Sequence, residues 1–276
     1  MSTNQRHPTA AANTIAPAVV AIVDHTNGSA AAASVSGDIA AIIGNDRGLY
    51  VGDLVGYFHA LFFDATNLDR PYHNLRHMLH VTWLCYQAAQ FYQDRLTPRQ
   101  IRNLLIAALF HDFDHPGQPH PGADDPDAIN IDLAIAGLRR HIAADDRPFL
   151  PAIEALIEAT HYPYTISSAE LDLSGRIIRD ADLAQALSPV WIQQIVIGLA
   201  RERRASPLEV LQQQPGFLSA LSFNTEWARE RFPPHAVAEK IGEAERLLAL
   251  LATRDPNDRA VRTTSDRLSN SSNATR

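Results

Sequence analysis

Apolar residues recur at helical spacing through most of the chain, and the period-two alternation of half-buried strands is missing between the two polar ends. In Val51–Asp64, Leu54, Tyr57, Phe58, Leu61 and Phe62 fall on one side of a helix. Tyr72–Tyr92 is long and mostly apolar and reads as a second helix. Thr97-Pro98-Arg99-Gln100 is a capping box with Pro at the first helical position, and it opens a helix that runs into His111. Ser167-Ser168-Ala169-Glu170 and Ser206-Pro207-Leu208-Glu209 carry the same start signal. Pro233-Pro234 separates a helix around Phe217–Arg231 from a last one, His235–Leu251. The pattern predicts an all-α fold, a compact multi-helix bundle over residues 38–254. Residues 1–37, rich in Ala, Ser, Thr and Asn, read as a mobile arm with a short helix near Ile15–Val23. Residues 255–276 read as a disordered polar tail.

Composition narrows the function. With 276 residues and 46% hydrophobic content the chain has ample material for one large core. A net charge of -7 argues against non-specific nucleic-acid binding. Lys240 is the single lysine, so the basic residues are almost all arginine. Cys85 is the single cysteine, which excludes a disulfide within the chain and suits a reducing cytoplasm. No run approaches bilayer length, and the N-terminus lacks the basic start and apolar core of a secretion signal. Cytoplasmic residence is therefore expected, with no membrane or nucleic-acid partner; composition leaves the oligomeric state open.

Two strings carry the chemistry: Tyr72-His73-Asn74-Leu75-Arg76-His77 and His111-Asp112-Phe113-Asp114-His115-Pro116-Gly117. Imidazoles and a carboxylate are the donors that divalent transition metals favour. His73 and His77 are four apart, as are His111 and His115, so on helices each pair would share a face. His111 and Asp112 end the apolar run Leu104–Phe110, where ionisable groups without partners would cost several kcal/mol. A metal ion is the simplest compensation.

The order His…His-Asp…Asp resembles the HD-domain superfamily of metal-dependent phosphohydrolases. More closely, Tyr-His-Asn-x-x-His followed by His-Asp-x-Asp-His-Pro-Gly is similar to the catalytic domain of the class I cyclic-nucleotide phosphodiesterases, over roughly Tyr72–Leu251. The resemblance implies metal ligation by His77, His111 and Asp112, completed by Asp182 of Ala181-Asp182-Leu183, with Asp180 as second choice. It makes His73 the general acid, held by a carboxylate that the sequence does not locate. His115 falls beside the metal ligands, as a residue orienting bound water.

The chain also departs from that pattern. His120 stands at the position of an Asn, His141 at the position of a Glu on the following helix, and Ala159-Thr160-His161 replaces Ala-Thr-Asp. Other HD-domain branches, including di-iron oxygenases and cyclic-dinucleotide hydrolases, use two such histidines on a second metal. The expected second site is Asp112 bridging to His141 and His161, although His141 beside Arg139 and Arg140 also reads as part of an exposed basic face. Gln214-Pro215-Gly216-Phe217 resembles the family's Gln-x-Gly-Phe string, in which Gln214 would pair with a base and Phe217 would stack on it. Arg201, Arg203 and Arg204 read as solvated helix charges that could also meet phosphate.

The resemblance therefore implies a phosphodiesterase with two divalent ions (Fe, Mn, Zn or Mg) and a bridging hydroxide, acting on a small-molecule cyclic nucleotide or related phosphodiester. A di-iron oxygenase and a metal-containing nucleotide-binding module without turnover are the alternatives.

Overall fold

A buried helix organises the molecule. The computed structural model describes residues 38–117 and 126–252. The predicted arm, its short helix and the polar tail from residue 255 lie outside them. Among the described residues the chain is helical with no strand, as the periodicity predicts. We number the main helices α1 (Val55–Asp64), α2 (Leu75–Phe91), α3 (Pro98–Phe110), α4 (Pro126–His141), α5 (Leu150–Glu158) and α6 (Leu173–Leu183). Then come α7 (Ile192–Arg203), whose first part, Ile192–Leu199, is π-helical, α8 (Pro207–Ala220), α9 (Glu226–Arg231) and α10 (Pro234–Ala252).

Helix α3 starts where the sequence places it: the Thr97 hydroxyl accepts from Gln100 N, and Gln100 Oε1 accepts from Thr97 N at 2.9 Å. From Ile101 to Phe110 every residue is buried. A helix apolar on all sides is stable only when surrounded, and α1, α2, α4, α5 and α6 pack around it. Each buried Leu or Phe there contributes roughly 2 kcal/mol. A second, smaller core of Trp191, Ile195, Val196, Leu211 and Ala244 joins α7, α8 and α10. No single described helix is long and apolar enough to cross a membrane.

Three local readings are corrected. Ser167–Glu170 forms a turn, with Glu170 accepting from Ser167 N at 3.0 Å, but the helix begins at Leu173. Asp172 caps it by accepting from Gly175 N at 2.8 Å. Phe217 and Arg231 do not share a helix: α8 ends at Ala220, and α9 restarts after the Thr225 cap. The break is used by Asp180, which is fully buried and accepts from the backbone and side chains of Asn224 and Thr225 at 2.8–3.1 Å. Finally, Tyr72 and His73 precede α2, which starts at Leu75 because Asn74 accepts from His77 N.

A buried ionic knot ties α1, α3 and the α4–α5 connection. Arg102 meets Asp146 with two hydrogen bonds of 2.7 Å, Arg99 adds one of 2.5 Å, and the Tyr57 hydroxyl donates at 2.7 Å. Burial opposes the charge, but Arg102, Tyr57 and Arg99 outweigh it and hold the Asp146 carboxyl down at about 2. A carboxyl held below its ordinary 3.8 contributes stability above that value and loses it as pH falls toward 2. Asp146→Asn should therefore lower stability by about 3 kcal/mol at pH 7, with the gap to the parent closing on acidification. Urea unfolding at pH 7 and pH 3 checks this; equal stabilities at pH 7 would contradict it.

Candidate metal centre and active site

The four histidines of the two strings pair across the strings rather than within them. His73 lies ahead of α2 and His77 in its first turn; His111 caps the end of α3 and His115 lies in the turn beyond. The shared-face expectation fails because each pair straddles a helix end. Instead His77 meets His111, with Nε2 atoms 3.2 Å apart, and His73 stacks on His115 at a ring-centroid distance of 3.6 Å and 15°.

The turn that makes this possible is fixed locally. Asp114 adopts φ 61°, and its N–H donates to Asn67 Oδ1 at 3.0 Å while its Oδ1 accepts from Thr66 N at 2.8 Å. Fully buried Asn67 also donates to the carbonyls of His73 and Asp112, at 2.9 and 2.8 Å, and so ties one string to the other.

His77 and His111 converge with two carboxylates. Asp112 Oδ2 lies 3.2 Å from His77 Nε2 and 3.4 Å from His111 Nε2. Asp182 Oδ1 lies 3.1 and 3.7 Å from the same atoms. The other ring nitrogens are already committed as donors: His77 Nδ1 donates to Gln185 Oε1, and His111 Nδ1 to Ala108 O at 2.9 Å. Gln185 is fixed in turn by donating to Gln194 Oε1 at 2.5 Å. Both rings thus present Nε2 to one point, in the orientation that metal-binding imidazoles adopt.

The electrostatics agree. Burial opposes a positive His77, yet Asp112 and Asp182 push it up to about 10, so this point draws positive charge. Asp112 is held well below the ordinary carboxylate range: His111, His73 and His77 overcome its burial. Its Oδ2 is buried and accepts no hydrogen bond among the described residues. An orphaned carboxylate oxygen beside two Nε2 atoms and a second carboxylate fits a divalent cation. The structure brings Asp182 to this point and commits Asp180 to Asn224 and Thr225.

The second cluster differs in kind. Glu202, buried on α7, accepts from His73 Nδ1 with Oε1, and from Tyr72 N and His73 N at 2.8 and 3.1 Å with Oε2. Against the cost of burial, His73 and these backbone N–H groups hold its carboxyl below the ordinary range. His115 Nδ1 accepts from Gly117 N at 2.9 Å, and burial together with the stacked His73 pushes it down to about 3. Here most of the donor atoms are spent on hydrogen bonds within the protein. The arrangement is a positioned imidazole with its carboxylate, which is what an acid–base residue needs. Glu202 is the carboxylate that the sequence did not locate. Nothing separated it from the flanking Arg201, Arg203 and Arg204, because the contact spans 129 positions. Gly198 permits it: a Cβ there would lie 2.7 Å from Pro71 O, so only glycine lets α7 approach the first string.

Among the described residues, neither His141 nor His161 falls in a group of converging metal-type donors. His141 lies at the end of α4, 3.8 Å from Asp64 Oδ2 and against the ring of Phe113 at 5.7 Å. It joins neither cluster, because the last turn of α4 faces α1 and not the carboxylates. His161 is buried where α5 ends and also joins neither cluster, although its neighbours Thr160 and Tyr162 line the pocket. Asp112 Oδ1 accepts instead from Asn130 at 3.2 Å. His120 lies outside the described residues.

A cavity of about 360 Å³ opens over both clusters. Asp112, Asp182, His73 and His115 line one part, and Gln213, Gln214 and Phe217 another. Gln214 is buried; its Nε2 donates to Val210 O at 3.2 Å and its Oε1 meets no donor among the described residues.

Asp182→Asn should abolish metal binding, whereas Asp180→Asn should lower stability and leave the folded protein's metal in place. Gln185→Ala should weaken metal affinity about 10- to 100-fold by releasing His77. Metal titration of the purified variants checks all three; full affinity in Asp182→Asn would contradict the assignment.

No curated protein matches the chain. Residues 72–119 match the family model described as 3'5'-cyclic nucleotide phosphodiesterase. That stretch holds both His strings, with His73, His77, His111, Asp112 and His115 inside it; Asp182, Glu202 and Gln214 come from beyond it. The match and the all-helical architecture are consistent with a phosphodiesterase-like HD-type domain, and the matched family is one of metal-dependent hydrolases.

Proposed function

We propose that this chain hydrolyses a cyclic nucleotide or a related small phosphodiester, with His77, His111, Asp112 and Asp182 as metal ligands and His73 as general acid. The observation that carries the reading is the division of labour between the two histidine pairs. One pair turns its Nε2 atoms toward each other between carboxylates, and the other includes an imidazole held by Glu202. When bound, a divalent ion here supplies charge stabilisation for the phosphoryl oxygens and hydroxide near neutral pH. Asp112 would be a protein donor to a second ion, a carboxylate that would suit Mg²⁺ or Mn²⁺, ions that keep several waters.

In the hydrolysis, water's oxygen forms a new bond to phosphorus and the ester P–O bond breaks. His73, with Nδ1 on Glu202, presents Nε2 to the cavity and gives its proton to the departing alcohol. Glu202 fixes the ring and stabilises it while charged. His115, kept neutral, closes one face of the His73 ring without competing for the proton. Gln214 offers an acceptor and Phe217 an aromatic face for a nucleobase.

The test is a panel of cyclic nucleotides and linear phosphodiesters assayed with Mg²⁺, Mn²⁺, Zn²⁺ and Fe²⁺. Turnover of at least one phosphodiester is expected; measurable nucleotide binding with no turnover under any metal would contradict the reading. His73→Ala should keep its metal and lose about 10²- to 10⁴-fold in turnover on a cyclic nucleotide. The loss should be smaller on a nitrophenyl phosphodiester, whose leaving group needs little protonation. Equal losses on the two substrates would contradict the general-acid role.

A further inference from the structure

Three arginines crowd the end of α7, and the structure separates them. Arg203 lines the cavity; Arg201 and Arg204 do not. Arg203 is the one Arg or Lys among the described lining residues. It makes no hydrogen bond or ion pair among the described residues, and the carboxylate next to it, Glu202, is fully engaged by His73 and two backbone N–H groups. Ile195, Leu199 and Arg203, four residues apart, form one row along the wall of the cavity. The row passes from the apolar side chains to a guanidinium whose charge acts on Tyr72, itself 4.5 Å from the His73 ring.

The carboxylates Asp112 and Asp182 and the Arg203 guanidinium thus line one cavity. A phosphodiester carries one negative charge, which an ion between the carboxylates would meet, and a further anionic group on the same substrate would have Arg203 to meet. Gln214 and Phe217 already supply an acceptor and a ring face for a base, so a base leaves Arg203 unused. The planar guanidinium fork matches a phosphate with two hydrogen bonds.

We propose that Arg203 receives a second anionic group of the substrate. The substrate class is then a phosphodiester bearing a further phosphate, such as a 5′-phosphorylated dinucleotide. This rests on the phosphodiesterase reading above.

The experiment uses the full chain loaded with Mn²⁺ and compares the dinucleotide pApA with ApA. It also measures by calorimetry the binding of adenosine 3′,5′-bisphosphate and adenosine 5′-monophosphate. The parent should favour pApA by about tenfold in kcat/KM and the bisphosphate by a similar factor in Kd. Arg203→Gln should bring both ratios close to one, acting on KM more than kcat, and Arg203→Lys should restore part of the preference. No preference in the parent, or ratios unchanged in Arg203→Gln, would overturn the proposal. So would a variant that changes only discrimination between guanine and adenine cyclic nucleotides, because arginine also pairs with guanine. If the parent turns over no phosphodiester, the phosphodiesterase reading fails, and the calorimetric ratios still decide whether Arg203 binds the second phosphate.

Discussion

The carboxylate of Asp112 at the end of a wholly buried helix is the constraint from which the rest follows. A helix as apolar as Leu104–Phe110 is held by the neighbours that enclose it. Closing it with His111-Asp112 places charge at the rim of that enclosure, with Asp112 Oδ2 meeting no donor among the described residues. Hydrophobic packing fixes the position, and the chemistry of the site compensates the charge. Removing the compensation while keeping the helix would leave a buried anion beside a second one, Asp182, which is costly.

Around that point the fold acts as a folded-back arm. The stretches Leu173–Leu187 and Ile192–Arg203 bend by 93° relative to each other. The first brings Asp182 and Gln185 to His77; the second brings Gln194 to Gln185 and Glu202 to His73. One bend therefore serves both histidine pairs, orienting His77 through amides and His73 through a carboxylate. The close approach at Gly198 and the Asn67 bridge between the strings keep the two clusters in register.

What the sequence revealed and what it hid divide along contact range. Capping boxes at Thr97 and Ser206 marked helix starts because the chemistry is local, and the ligand identities stood out because His-Asp at the end of an apolar run is conspicuous. The same local logic misled at Ser167–Glu170, where a turn forms but Asp172 takes the cap. It misled again in pairing His73 with His77 and His111 with His115, since helix ends fall between the members. Glu202, Gln185, Gln194 and Asn67 escaped notice because their partners lie far away in the chain and their residue types are common. His141 and His161 stand where carboxylates were expected, and among the described residues neither falls in a group of converging metal-type donors.

The central claim is that the two histidine pairs differ in kind, one built for a cation and the other for a proton. Anomalous diffraction from crystals of the full chain soaked in Zn²⁺ or Mn²⁺ tests it most directly. The account predicts an ion bonded to His77 Nε2, His111 Nε2, Asp112 and Asp182 at about 2.0–2.2 Å, with no ion among His73, His115 and Glu202. An ion ligated by His73 and His115, or an empty site between His77 and His111 in a metal-saturated active protein, would contradict it.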